Sequence, residues 1–374
     1  MRVVYFSRRY TPHDHRFLAS LAATEHEVAH LQLEQAKSPL ENRPLPSNIE
    51  VIKWWGGRRP LRPWDWPRAA VEAGRVLRQR DADVVHAGPV QSCAFLAALA
   101  GVNGLLTMSW GSDLLLHAQS GPGRWLARWT LARSVAFAGD CQAVAERAGA
   151  LGMPPERMFL FPWGVDLERF HPGKASALRA KLGWGVADVV LLSTRAWEPI
   201  YGLPELARAF AQFTRVEPKA RLALLGAGSL GPALRRMFDE AGVGDRVRFV
   251  GQVSQQELPD YFRAADLYLS ASHSDGSSIS LLEAMASGLP AIVSDIPGNR
   301  EWVEPGVNGW RFQVKDELAL VAALQQAFGA GPNVWGELGR AGRRIAEDRA
   351  DWSSNFPRLL EAYQFVRARR DGSP

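Results

Sequence analysis

The chain has 374 residues, 47% hydrophobic and 22% charged, and its 44 basic and 39 acidic residues leave a net charge of +5. That length suggests two or three domains at about 150 residues each, and the composition excludes a disordered, collagen-like or coiled-coil chain. The two cysteines, Cys93 and Cys141, show no Cys-x-x-Cys spacing, which speaks against a disulfide scaffold or a cysteine zinc site and fits a reducing, cytoplasmic setting.

The first residues, Met1-Arg2-Val3-Val4-Tyr5-Phe6, form an apolar run too short for a signal peptide. They read as a strand over 2–6. Further strands are expected over 27–33, 49–53, 83–87 and 105–109, with weaker ones at 134–138 and 158–161. Amphipathic helical patterns lie between them at 15–23, 67–80 and 90–100. The uncharged stretch 91–112 has the length of a membrane span, but Gly101-Val102-Asn103-Gly104 divides it with turn residues. It reads as a buried helix, a turn and a buried strand.

Residues 161–185 hold Pro162, Gly164, Pro172, Gly173, Gly183 and Gly185 and read as a connection. A second series follows, with strands at 189–193, 221–225, 247–250, 267–270 and 291–294 and helices at 204–213, 232–241, 256–264 and 279–287. The tail from 316 to 370 is helical, interrupted at 329–332 and near Trp352. Alternating strands and helices predict parallel sheets covered on both faces. The expected architecture is α/β: a Rossmann-like, doubly wound domain over 1–165, a linker over 166–186, a second such domain over 187–350, and a helix over 351–374 that can cross back to the first. Two such domains facing across a cleft would bind ligands at the carboxyl ends of their strands.

The segment richest in chemistry runs His273-Ser274-Asp275-Gly276-Ser277-Ser278-Ile279-Ser280-Leu281-Leu282-Glu283-Ala284-Met285-Ala286. It follows a strand and opens a helix, with Ser277 or Ser278 expected at the N-cap. The unpartnered amides of the first turn, at the positive end of the helix dipole, form an anion site suited to a phosphate or diphosphate. Gly276 allows close approach to the backbone. Glu283 lies roughly 7 Å further along the axis, where a ribose next to a bound diphosphate would present its hydroxyls. Asp275 sits on the other side of the anion site. A capped core helix with one buried acid is the plainer alternative.

This segment resembles the signature of the family-4 retaining glycosyltransferases of GT-B fold: an acid, seven residues, then Glu-Ala-Met-Ala-x-Gly-x-Pro. Here it reads Asp275, seven residues, Glu283 and on to Gly288-Leu289-Pro290, with Asp where the family usually has Glu. The segment from Phe161 to Pro172, Gly226-Ala227-Gly228, Arg248-Phe249-Val250-Gly251 and Ala265-Asp266-Leu267 also fall in family order. The likeness covers the second domain and the hinge and is weaker in the first domain, where acceptor specificity resides in that family.

Two positions depart from the pattern. The family has an Arg followed a little later by Lys-Gly, which clamp the diphosphate; here Arg195 is followed by Tyr201-Gly202. The family often has a His near the donor sugar where this chain has Trp110, before Gly111-Ser112-Asp113. The resemblance implies a nucleotide diphosphate sugar as co-substrate, no metal and no other cofactor. In that reading Arg195, Asp275 and Glu283 carry the chemistry, on phosphate, sugar and ribose respectively. Gly276, Ser277, Ser278, Ile279, Leu282, Tyr201, Gly251 and Val253 surround the donor. Arg8, His13, Asp14, His15, Trp110 and Asp113 face the acceptor.

Other motifs carry less. Gly226–Gly231 matches Gly-x-Gly-x-x-Gly, yet it follows the second strand of its domain, and the next strand ends in Gly251 rather than an acid. It reads as a tight turn near the nucleotide, with a nicotinamide-dependent oxidoreductase as the alternative. Asp81-Ala82-Asp83 lies at the amino edge of a strand and reads as a solvated cap rather than a metal site. His86, at a strand end, reads as structural. Residues 51–80 hold eight basic residues (Lys53, Arg58, Arg59, Arg62, Arg68, Arg75, Arg78 and Arg80) against Asp65 and Glu72, with Trp54, Trp55, Trp64 and Trp66 among them. The region reads either as a solvated helix with snorkelling arginines or as a peripheral contact with the inner face of an anionic membrane. No nucleic-acid module is present. A non-catalytic sugar-nucleotide or membrane-binding protein is the remaining alternative.

Overall fold

The computed structural model describes residues 1–35, 41–57 and 59–372, apart from the Pro63 side chain. Arg58 lies outside the described residues, as do Ser373 and Pro374 at the end of the expected last helix. The chain divides into two compact units, Met1–Pro162 with Asn355–Pro374, and Trp163–Ser354.

The first unit runs β1 (Arg2–Ser7), α1 (Pro12–Ala22), β2 (Glu27–Gln32), β3 (Glu50–Val51), α2 (Trp66–Arg80), β4 (Val84–Gly88), a π-wound stretch (Val90–Ala94), α3 (Phe95–Leu99), β5 (Leu105–Met108), α4 (Ser112–Leu115), α5 (Gly121–Leu131), β6 (Ala136–Gly139), α6 (Gln142–Ala150) and β7 (Met158–Leu160). Its seven strands pair in the order β3-β2-β1-β4-β5-β6-β7, all parallel. β4, β5 and β6 are buried along their whole length, as strands covered on both faces must be. The uncharged stretch is therefore interior: it supplies the π-wound turn, α3 and β5. Among the described residues no helix is long and apolar enough to cross a membrane.

The second unit contains α7 (Ser176–Lys181), β8 (Val189–Ser193), α8 (Leu203–Phe213), β9 (Ala220–Leu225), α9 (Gly231–Glu240), β10 (Val247–Gly251), α10 (Leu258–Ala264), β11 (Leu267–Ser270), α11 (Ile279–Ala286), β12 (Ala291–Ser294), α12 (Pro297–Arg300), β13 (Gly309–Phe312) and α13 (Glu317–Arg349). The strand order is β10-β9-β8-β11-β12-β13, the doubly wound order that reverses beside the first strand. Successive strand residues feed opposite cores: Leu191, Leu224 and Leu269 pack under α8 and α9, while Val190, Leu192, Leu225 and Tyr268 pack under α10 and α11.

The segment read as a linker carries α7 and packs within the second unit. β13 has no counterpart in the sequence reading, because Gly-Trp-Arg-Phe is short and charged; pairing with β12 makes it a strand. α13 breaks at Gly331 (φ 77°) ahead of Pro332, where the helical pattern is interrupted. The final helix, α14 (Trp352–Arg370), returns to the first unit. There the buried Tyr363 hydroxyl lies 2.8 Å from His86 Nδ1. Arg370 donates to the Ala82 carbonyl at 2.7 Å and pairs with Asp81 and Asp83. Asp81 is the exposed C-cap residue of α2, in keeping with a solvated cap, and with Ala82 and Asp83 it also docks this helix, with Arg2 as a further partner of Asp81 at 3.1 Å.

Candidate functional site

In the second unit the strand order reverses between β8 and β11, and the loops leaving those two strands hold most of the expected donor residues. Arg195 lies two residues past β8. Asp275, Gly276, Ser277 and Ser278 lie between β11 and α11. Arg195 Nη2 is 2.6 Å from Asp275 Oδ2, and Nη1 donates to Ser278 Oγ at 2.7 Å and Ser280 Oγ at 2.9 Å. Its guanidinium carbon stands 4.2 Å from the centre of the Tyr201 ring, a cation–π distance. Tyr201 thus presents its face to Arg195. Tyr268 Oη completes the cluster, 2.8 Å from Ser280 Oγ.

Burial pushes the Asp275 carboxyl up from its ordinary range, and the Arg195 charge pulls it part of the way back. Holding a fixed cation in so enclosed a place is costly without anions. Arg195 thus stands beside the first turn of α11, bonded to Ser278 and Ser280, with Asp275 as its ion-pair partner.

The capping expectation needs correction. Ser278 is the N-cap residue but makes no side-chain cap bond, because its hydroxyl accepts from Arg195 instead. Ser277 Oγ accepts from Trp302 Nε1 at 3.1 Å. The first-turn amides of α11 are thus not covered by the usual side-chain cap.

Glu283 is buried about one turn into α11. Ile279 is half-buried at the helix start. Leu282, expected among the donor contacts, is fully buried with Leu281 and Met285 in the core, so its side chain has no place in the site. Gly251 ends β10 at φ 86° and accepts the Gly226 amide at 2.8 Å, with Val253 half-buried just beyond.

The glycines of 226–231 serve the loop after β8. A Cβ on Gly226 would come 2.8 Å from the Arg195 carbonyl, and one on Gly228 would come 2.3 Å from that of Trp197. They let the two loops pack closely, which holds Arg195 in place. His273 and Glu205 (3.3 Å apart), Ser280 and Tyr268 belong to the same neighbourhood and are absent from the sequence-derived set. Their signals were a serine in the first turn and a tyrosine at an inward strand position, neither distinctive alone.

In the first unit, Arg8 and Arg9 follow β1 and both bind the buried carboxylate of Glu34, at 2.8 Å each. His13 and Trp110 bring their rings to 5.5 Å. His15 Nδ1 lies 2.6 Å from Tyr10 Oη. Two expected acceptor residues are occupied otherwise. Asp14 is buried, closing a capping box with Thr11 and accepting from Tyr5 Oη at 3.1 Å. Burial raises its pKa to about 6. Asp113 accepts from Ser109 Oγ and from the amides of Val90, Trp110 and Leu114, at 2.7–3.1 Å. Both shape loops at the carboxyl edge and leave no oxygen aimed outward.

In the tryptophan-rich region α2 carries exposed Arg68, Arg75 and Arg78, as a solvated helix does. Trp54 is in the core and donates to the Gln32 carbonyl at 2.8 Å. Trp55 lies under Arg68 and Arg59, and Trp66 packs on the core. Of the four, Trp64 alone is exposed. Among the described residues, no group of three or more His, Cys, Asp or Glu side chains is arranged to hold a metal ion.

Residues 175–336 match the family model for glycosyl transferases group 1, and residues 11–164 match that for a glycosyl transferase 4-like domain. The chain is 30% identical over 221 residues to the D-inositol 3-phosphate glycosyltransferase of Geodermatophilus obscurus, covering 57% of this chain and 48% of that one. It is 27% identical over 314 residues to the GDP-mannose-dependent alpha-(1-6)-phosphatidylinositol monomannoside mannosyltransferase of Mycolicibacterium smegmatis, covering 79% and 80%. The chain spans about half the length of the inositol-phosphate glycosyltransferases it matches. Among solved structures, sucrose-phosphate synthase from Thermosynechococcus elongatus superposes with a TM-score of 0.81 at 19% identity, over 99% and 100% of the two chains. Anabaena HepE in complex with UDP-glucose gives 0.79 at 18%, over 97% and 99%. The fold they share is GT-B.

Proposed function

The chain belongs to the group 1 glycosyltransferases, and on that premise we propose that it moves a sugar from a nucleotide diphosphate sugar to an acceptor hydroxyl, with retention at the anomeric carbon and without a metal. The observation that carries this reading is Arg195: a buried guanidinium at the strand-order reversal, beside the α11 amino terminus and ringed by Ser278, Ser280 and Tyr201. Such a cluster suits a diphosphate, whose developing charge it would stabilise as the bond to the sugar breaks. Glu283 would accept hydroxyls of the ribose. Gly276, Ser277, Ser278 and Ile279 would line the diphosphate, and Gly251 and Val253 the base.

In this reaction the bond from the anomeric carbon to the diphosphate oxygen breaks, and a bond from that carbon to the acceptor oxygen forms on the same face. The acceptor proton passes to the leaving diphosphate. Asp275, freed from Arg195 when the diphosphate takes its place, would hold donor-sugar hydroxyls. Arg8, His13, His15 and Trp110 would meet the acceptor. The two cysteines are free and buried, which suits a reducing, cytoplasmic setting.

Calorimetric titration in EDTA tests this, using UDP, GDP, ADP, NAD and inorganic pyrophosphate on wild type and Glu283→Ala. One nucleoside diphosphate is expected to bind to wild type, and Glu283→Ala should weaken it at least tenfold while leaving pyrophosphate unchanged. Equal loss for both ligands, or none for either, would remove Glu283 from the ribose. Binding of NAD alone would restore the oxidoreductase alternative. Nucleotide binding without transfer from any sugar donor would leave a non-catalytic binder.

A further inference from the structure

The first unit carries a surface that the transfer reading does not use. α2 packs against α3, and α3 against α5, so the three helices form one layer over the sheet. Their outer side is apolar and cationic together. Val71, Leu99 and Trp125 are 70%, 51% and 60% exposed. On α2 the positions 68, 71, 75 and 78 form one helical stripe of Arg, Val, Arg and Arg, all exposed. On α5, Arg124, Trp125 and Arg128 share a face and are exposed. Arg133, just past α5, is exposed and stands 3.8 Å from the Trp129 ring, itself stacked at 6.3 Å from Trp125. α3 and α5 contain no acid, and α2 has only Glu72, paired with Arg75 at 2.9 Å.

We propose that this α2–α3–α5 face is the seat of the first unit on an anionic lipid bilayer. An exposed indole, two exposed aliphatic side chains and six arginines with one acid among them match a surface whose headgroups are negative and whose interior is apolar. Indoles settle at such an interface, and arginine stems lie along it with their heads in the charged layer. A folded protein partner would satisfy the apolar side chains but gives no reason for so one-sided a charge. RNA would satisfy the charge but not the exposed Val71 and Leu99. Within residues 53–80 the α2 stripe takes part, while Trp54, Trp55 and Trp66 do not, being turned to the core or covered by arginines. The inference stands independently of sugar transfer.

Co-sedimentation of the full chain with vesicles tests it, comparing phosphatidylcholine alone with a mixture containing one quarter phosphatidylglycerol. Wild type is expected to bind the anionic vesicles, to leave neutral ones in the supernatant, and to be released as salt rises. The double variant Arg124→Glu/Arg128→Glu should lower the partition coefficient at least about tenfold, since each basic residue near such a surface contributes roughly fivefold. Trp125→Ser should lower it several-fold, and Trp64→Ser should leave it unchanged. The thermal unfolding midpoint of each variant shows that it is folded. Absence of wild-type binding to anionic vesicles overturns the proposal. So does equal binding to neutral vesicles, a Trp64→Ser loss as large as that of Trp125→Ser, or tighter binding to an RNA homopolymer that the same charge reversals abolish. Because vesicles need no nucleotide, loss of the transferase reading would leave this result standing, and the reverse.

Discussion

Arg195 and Asp275 meet at 2.6 Å, so the cation suited to a diphosphate and the acid suited to a sugar neutralise each other. A diphosphate arriving at Arg195 competes with Asp275. The two residues should therefore respond oppositely to substitution. Arg195→Ala is expected to weaken nucleoside diphosphate binding by about a hundredfold, as for a buried charge-assisted contact. Asp275→Asn should tighten it several-fold while lowering transfer sharply. Calorimetry with the nucleoside diphosphate checks both; parallel weakening would show that Asp275 only supports Arg195.

Tyr201 replaces a lysine of the family pattern, and its ring lies against Arg195. If the face is what matters, Tyr201→Phe should keep nucleotide affinity within about threefold, and Tyr201→Ala should lose roughly tenfold, within the range of a desolvated cation–π contact. Phe and Ala failing alike would instead assign the hydroxyl to the phosphate.

α14 is held to the first unit by Tyr363 on His86 and by Arg370 on Asp81 and Asp83. Tyr363→Phe leaves one buried imidazole nitrogen without its hydroxyl and should cost about 1–3 kcal/mol. Tyr363→Ala adds a cavity and should cost about 3–5 kcal/mol. Urea unfolding measures both, and nucleotide affinity, proposed for the second unit, should not move.

Acid should destabilise the first unit before it touches the second. Burial lowers His30 to about 4 and His86 to about 3, from 6.5. Below pH 6.5 the unfolded chain takes up those protons and the folded one does not, so stability falls with pH. Asp14 acts in the opposite sense: raised from 3.8 to about 6, it loses stability as pH rises across that window. Asp113, also raised by burial, acts with Asp14, and His15 and His26, also lowered, act with the other histidines, so four histidines against two carboxyls leave stability falling as pH drops from 6.5 towards 4.5. Urea midpoints at pH 6.5, 5.5 and 4.5 should follow that trend, and His86→Gln should flatten it. A wild-type midpoint independent of pH in this range would refute the argument.

Much of this was legible in the residues. β1, β8, β11 and β12 follow from continuous apolar runs between turn signals, because a strand buried on both faces cannot alternate. The reading of Asp275 to Glu283 as a loop and helix start followed from glycine and serines ahead of an apolar run. What the sequence by itself determined was therefore the α/β class and the loop and helix start that Arg195 packs against, since both rest on local periodicity and spacing. Only the tertiary structure decided which polar groups the site keeps. Asp14 and Asp113 are consumed by their own loops, Leu282 by the core, and Ser278 by Arg195 in place of a cap. It also decided that Asp81 and Asp83 dock a helix more than 280 residues away. Hydrogen-bond partners of that separation are set by how the strands order and the helices return, and no spacing along the chain encodes that.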